Sequence, residues 1–217
     1  NTIVALEKSG KILERVSMVF FNKSSSDTND ALEAMRAEIA PKLSAHHDAI
    51  MLNPKFFARI KDLYDKRVSL NLNSEDSWLL ERYYKDLIQS GAHLSDQQRA
   101  RLTELNGALS KLSTTFSKNL LADTNDLAII VGSVEELDGL TPNQISAAAT
   151  AATERGLSGK WLLAQVNFTG NPLLNSLTNR ALRKRIMESS LQKGNQNNAN
   201  DNKSVLLEMV KLRAERA

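Results

Sequence analysis

Residues 95–126 read SDQQRARLTELNGALSKLSTTFSKNLLADTND, and their periodicity decides the fold. Ser95-Asp-Gln-Gln98 has the form of a capping box, in which Ser95 and Gln98 satisfy each other's free backbone N–H groups at a helix start. Leu102, Leu105, Leu109, Leu112, Phe116 and Leu120 then recur at intervals of three and four. That spacing puts them on one narrow seam suited to antiparallel helix packing. Leucines offer neither metal ligands nor hydrogen-bond donors, so the seam reads as scaffold and not as a cofactor box.

Upstream of the seam the same period continues. Leu32, Met35, Ile39, Leu43 and Ile50 share one stripe of a helix expected to start near residues 27–29. Pro41 is expected to kink or split it. Asn53-Pro54 reads as a cap followed by proline at the first helical position, opening a helix whose apolar face is Phe56, Phe57, Ile60, Leu63, Tyr64 and Val68. Ser74 is the expected cap of the next helix, which carries Trp78, Leu79, Tyr83, Leu87 and Ile88 and ends at Gly91.

Downstream the period breaks. Residues 127–131 are short, β-branched and bounded by Asn125 and Gly132, as a buried strand would be. Thr141-Pro-Asn-Gln144 is a second capping box and opens an alanine-rich helix that runs to Arg155 and Gly156. Residues 161–168 read as a second strand, followed by a turn at Gly170-Asn-Pro172. Two closing helices carry Leu177, Leu182, Ile186 and Leu191, then Val205, Leu206, Met209, Val210 and Leu212, with a polar loop at 194–202 between them. The fold class is therefore mainly α: a multi-helix lobe with a small strand-containing insert. The expected organisation is one helical domain over 1–217, with antiparallel helices in 1–125, short strands plus one helix in 126–178, and closing helices in 179–217. The chain has no starting Met, its amphipathic pattern is running by Ile3, and no cap follows its last helix. It is expected to be a truncated N-terminal piece of a longer protein.

Composition narrows the chemistry. Of 217 residues, 41% are hydrophobic and 24% charged, which excludes wholesale disorder and low-complexity chains. Zero cysteines remove disulfide scaffolds, thiolate metal sites and cysteine nucleophiles. No apolar run approaches the roughly 18 residues of a membrane span, so no membrane partner is expected. The net charge is +3, but nine basic and four acidic side chains fall in 180–217, so the rest of the chain carries −2. A basic stretch of this kind offers one reading: an independent helical interaction module that binds an acidic partner or nucleic acid through 180–216. Its positives are interleaved with acids along helices, however, as on a solvated face, so nucleic acid is not the expected partner.

No active site emerges from the residues. Of the three histidines, His46 and His47 are adjacent and point about 100° apart on a helix, unlike the i, i+4 pair of a metal site. His93 falls in the loop after Gly91, and His-Glu-x-x-His is absent. Gly156-Leu-Ser-Gly-Lys160 lacks the residues that a phosphate loop or a nucleophile elbow requires, and reads as a turn. Ser190-Leu-Gln-Lys193 matches Ser-x-x-Lys without its companion motifs. Sequons at Asn22, Asn167 and Asn202 would matter only in a secreted protein. The expected catalytic, cofactor-binding and metal-binding residues are accordingly none.

The order of several short motifs is more informative than any of them alone. Residues 127–131, Glu136-Leu-Asp-Gly-Leu140, Gly159-Lys-Trp-Leu-Leu163, Asn171-Pro-Leu-Leu174, Leu177-Thr-Asn-Arg-Ala-Leu-Arg183, Asn200-Asp-Asn-Lys203 and Leu212-Arg-Ala-Glu-Arg-Ala217 occur in turn. With Asn1-Thr-Ile-Val-Ala-Leu-Glu7 and Asn53-Pro-Lys-Phe-Phe57, the chain resembles the N-terminal region of the bacterial peptidyl-dipeptidases of the thimet oligopeptidase family, zinc metallopeptidases. The resemblance implies a two-lobed, mostly helical body with a deep channel restricting substrates to short peptides, and release of dipeptides from peptide C-termini. It also implies zinc in the longer protein, held by His-Glu-x-x-His and a downstream glutamate beyond residue 217, with the missing C-terminal catalytic region as partner. This segment would then help to wall the channel, hold no zinc and be inactive alone. Asn179-Arg-Ala-Leu-Arg183 is characteristic of the family, and helix packing with surface pairing is its expected role. The cytoplasm is the expected compartment, with the periplasm left open.

Overall fold

The computed structural model describes residues 2–166 and 170–217. The described residues form nine α-helices and one two-stranded sheet, in the order α1 (Thr2–Lys8), α2 (Lys11–Ser26), α3 (Asp30–Met51), α4 (Pro54–Asp65), α5 (Ser74–Ser90), α6 (Asp96–Asp126), β1 (Ile129–Val131), α7 (Pro142–Glu154), β2 (Trp161–Leu163), α8 (Arg180–Leu191) and α9 (Lys203–Arg216). The mainly-α class with a small strand-containing insert holds. The chain divides into two compact units, Asn1–Thr114 with Lys211–Ala217, and Thr115–Val210.

In the first unit, local chemistry sets the helix ends. Asn53 Oδ1 accepts from the Lys55 and Phe56 N–H groups at 2.9 and 3.0 Å, with Pro54 at the first helical position of α4. Helix α5 is capped one residue earlier than expected: Asn73, not Ser74, accepts from Asp76 N at 2.8 Å. Gly91 ends α5 in the left-handed conformation at φ 94°, and a side chain there would meet Leu102 and Leu94. The Ser95 capping box forms, with Ser95 N donating to Gln98 Oε1 at 3.0 Å and Gln98 N to Ser95 Oγ at 3.3 Å. Pro41 lies inside α3 without splitting it. Helix α2 has no counterpart in the expected elements. The core of the first unit is Ile60, Leu80, Leu87 and Ala92, against which Phe56, Phe57, Tyr64, Tyr83 and Tyr84 pack, with the Tyr64 and Tyr84 rings stacked at 3.9 Å.

The second unit is organised on the small sheet. Strands β1 and β2 are antiparallel, with Ile129 opposite Leu163, Ile130 opposite Leu162 and Val131 opposite Trp161. Both strands are shorter than the expected 127–131 and 161–168. Helix α6 runs on to Asp126, so the ladder offers three pairs, and of the expected second strand 167–168 lie outside the described residues. The Thr141 capping box of α7 forms as expected. Val131, Leu137, Leu140, Ala148, Leu163, Leu173, Leu177, Leu182 and Ile186 make one buried cluster, in which truncating a large side chain to alanine costs about 2–5 kcal/mol. Gly139, at φ 92°, lets the Ser176 carbonyl approach so closely that a Cβ would lie 2.0 Å from its oxygen.

Candidate functional site

The histidines are not assembled into a metal site. His46 and His47 are exposed neighbours on α3, and His93 is exposed in the loop after α5. Among the described residues no group of three or more His, Cys, Asp or Glu side chains could hold a metal ion. These residues do not fit the zinc implied by the resemblance. The Gly156–Lys160 segment is a turn leading into β2, with Gly156 and Gly159 at positive φ. Lys193 of the Ser-x-x-Lys match donates to the Gln165 carbonyl. Of the sequons, Asn202 is buried, 4% exposed, with its amide bonded to the Phe116 carbonyl and to Asn119, so it is closed to modification. Asn167 lies outside the described residues.

In the first unit, α3, α6 and α9 enclose a polar cleft of about 320 Å³ lined by Ser44, His47, Asp48, Asn106, Leu109, Ser110, Ser113, Arg213 and Arg216. Asp48 is buried, and Asn106 Nδ2 donates to both of its carboxylate oxygens at 2.9 and 3.1 Å. A serine, a histidine and an aspartate therefore share one cleft, but no hydrogen bond joins His47 to Asp48 or to a serine among the described residues. Elsewhere in this unit an open groove of about 520 Å³ runs along α2, lined by Ile12, Val16, Val19, Phe20 and Leu32 between Arg15 and Lys23.

In the second unit the polar loop 194–202 is fastened to a buried acid. Asp123 is fully buried and accepts from the Gly194 N–H at 2.7 Å and from Asn198 Nδ2 at 3.1 Å. Burial pushes its carboxyl up, but the donors of Asn198, Gly194, Gln196 and Asn200 outweigh that and hold it below the usual aspartate value. Asn202 N closes the loop on the Gly194 carbonyl at 2.8 Å. This acid was not singled out from the sequence; its only signal is an aspartate near the end of a long helix, 71 residues from the glycine it binds. Nor was the α3–α6–α9 cleft. In the Asn179–Arg183 motif, Asn179 caps α8 through Leu182 N at 3.0 Å, and Arg183 Nη1 donates to the Leu177 and Thr178 carbonyls at 2.6 and 2.9 Å.

The basic stretch is largely engaged with the chain itself. Arg185 donates to the Ile130 carbonyl at 3.0 Å and lies 3.8 Å from Glu136. Lys184 pairs with Glu188 at 3.6 Å. Lys203 reaches Asn195, Asn197 and Asp201 at 3.0, 2.7 and 3.1 Å. Arg180, Arg213 and Arg216 are the basic side chains of this stretch that make no hydrogen bond or ion pair among the described residues. No helix of the described residues is long and apolar enough to cross a membrane.

Known proteins resemble this chain, two of them over all or nearly all of its length. A dipeptidyl carboxypeptidase of Escherichia coli is 34% identical over 217 residues, covering 100% of this chain and 32% of that protein. A dipeptidyl carboxypeptidase of Salmonella typhimurium is 32% identical over 213 residues, covering 98% of this chain and 31% of that protein. An oligopeptidase A of Haemophilus influenzae is 28% identical over 169 residues, 72% of this chain and 24% of that protein. The chain thus spans about a third of the length of the first two relatives. No protein-family model matches it.

Proposed function

We propose that this chain, which fits an N-terminal segment of the thimet oligopeptidase family, is the noncatalytic part of a peptidase that releases dipeptides from the C-termini of short peptides. The observation that carries the reading is full-length similarity to two dipeptidyl carboxypeptidases, at 34% and 32% identity, confined to about a third of each. The lack of a metal-ligand group among the described residues and the unlinked His47 and Asp48 support a noncatalytic role. The helices would serve as wall to a channel that admits extended peptides and excludes folded proteins. Zinc would be bound outside these residues, and the cytoplasm is the proposed compartment.

The test is hydrolysis of a blocked tripeptide by the longer protein, with and without a chelator. Release of the C-terminal dipeptide that stops on chelation supports the reading. Cleavage from the amino end, or cleavage indifferent to chelator, contradicts it.

A further inference from the structure

We propose that the cleft between α3, α6 and α9 is a binding site for a small oxyanion, a carboxylate or a phosphate. Each of the three helices contributes a pair spaced by three residues: Ser44 and His47, Ser110 and Ser113, Arg213 and Arg216. Residues three apart sit on one helix face, so three donor-bearing faces converge on one hollow. The lining holds three hydroxyls, an imidazole and two guanidiniums, with Leu109 as its apolar residue.

Two further observations point to an anion. The first is what the arginines do not do. Most of the basic side chains of 180–216 are spent on carbonyls or carboxylates of the chain, whereas Arg213 and Arg216 line the cleft without a hydrogen bond or ion pair among the described residues. Both are exposed at the edge of the cleft, and a guanidinium fork free there matches the two oxygens of a carboxylate or phosphate. The second concerns the one acid of the lining. Asp48 is 7% exposed and both its oxygens already accept from Asn106. Two guanidiniums against one satisfied carboxylate leave the cleft positive, so an incoming oxyanion completes the charge balance. This site is independent of the peptidase reading and would stand if that reading failed.

The experiment is an NMR titration of the chain at constant ionic strength, so that screening stays fixed. The probes are inorganic phosphate, N-acetyl-dialanine, and the same dipeptide as its C-terminal amide. Saturable shifts at the Ser44, Ser110 and Ser113 amides are expected with an oxyanion and not with the peptide amide. Shifts with the free acid alone assign the site to carboxylates, and shifts with phosphate alone assign it to phosphate. In R213Q/R216Q, checked for unchanged helicity, binding is expected to weaken by about tenfold or more. R213K/R216K, which keeps charge but loses the fork, should fall between. No saturable shift with either anion, equal binding of acid and amide, or undiminished binding by R213Q/R216Q would overturn the proposal.

Discussion

Asp123→Ala tests the account of the second unit most severely. The Asp123 carboxylate is fully buried and receives Gly194 N–H at 2.7 Å and Asn198 Nδ2 at 3.1 Å. Removing it strands the buried Gly194 N–H, at about 1–3 kcal/mol, and loses the bond from the exposed Asn198 amide, at about 0.5–1.5 kcal/mol, so the loss should come to about 1.5–4.5 kcal/mol. Asp123→Asn keeps the volume but replaces one acceptor oxygen with a donor that faces another donor. Its cost should be smaller, about 1.5–3 kcal/mol, the range for a hydrogen bond to a charged group. The assay is urea unfolding followed by Trp161 fluorescence in a Trp78→Phe background, since Trp161 lies beside the second unit's core. The acid's value is depressed in the fold, so its contribution is present above the unfolded aspartate pKa, about 3.9, and is lost as pH falls through the lower folded value. Acid destabilisation should therefore be blunted in Asp123→Asn. A change below about 0.5 kcal/mol in both variants, the range of an ordinary surface substitution, would refute the role assigned to Asp123.

Two other substitutions probe the same unit. Gly139→Ala puts a Cβ 2.0 Å from the Ser176 carbonyl oxygen at a backbone φ of 92°, and should destabilise by at least about 2 kcal/mol in the same urea titration. Thr141→Ala removes one half of a capping box and should cost about 1 kcal/mol, read as a lowered unfolding midpoint with an unchanged slope.

What could be read in advance was what is local. The caps at Asn53, Ser95 and Thr141 and the stop at Gly91 are each decided by side chains within a few residues, and the structure carries all four. Helix α2 escaped because its apolar residues do not mark a buried face. Ile12, Val16 and Val19 are 80%, 61% and 72% exposed, and Ser24 is the buried residue of the helix. Strand β2 read too long because a ladder's length is set by its partner, and β1 supplies three residues. The cleft could not be read because it depends on three helices meeting. Taken singly, Ser110 with Ser113 or Arg213 with Arg216 is an ordinary solvated helix face. Asp123 was hidden for the same reason, since the loop it fastens lies far along the chain.

The most direct test of the central claim is the activity of the chain alone, measured with the blocked tripeptide alongside a zinc determination on the same sample. The account predicts no dipeptide release and no stoichiometric zinc, because His46, His47 and His93 do not form a ligand group. Release of the C-terminal dipeptide by this chain with one tightly held zinc would contradict it and put the catalytic centre within these 217 residues.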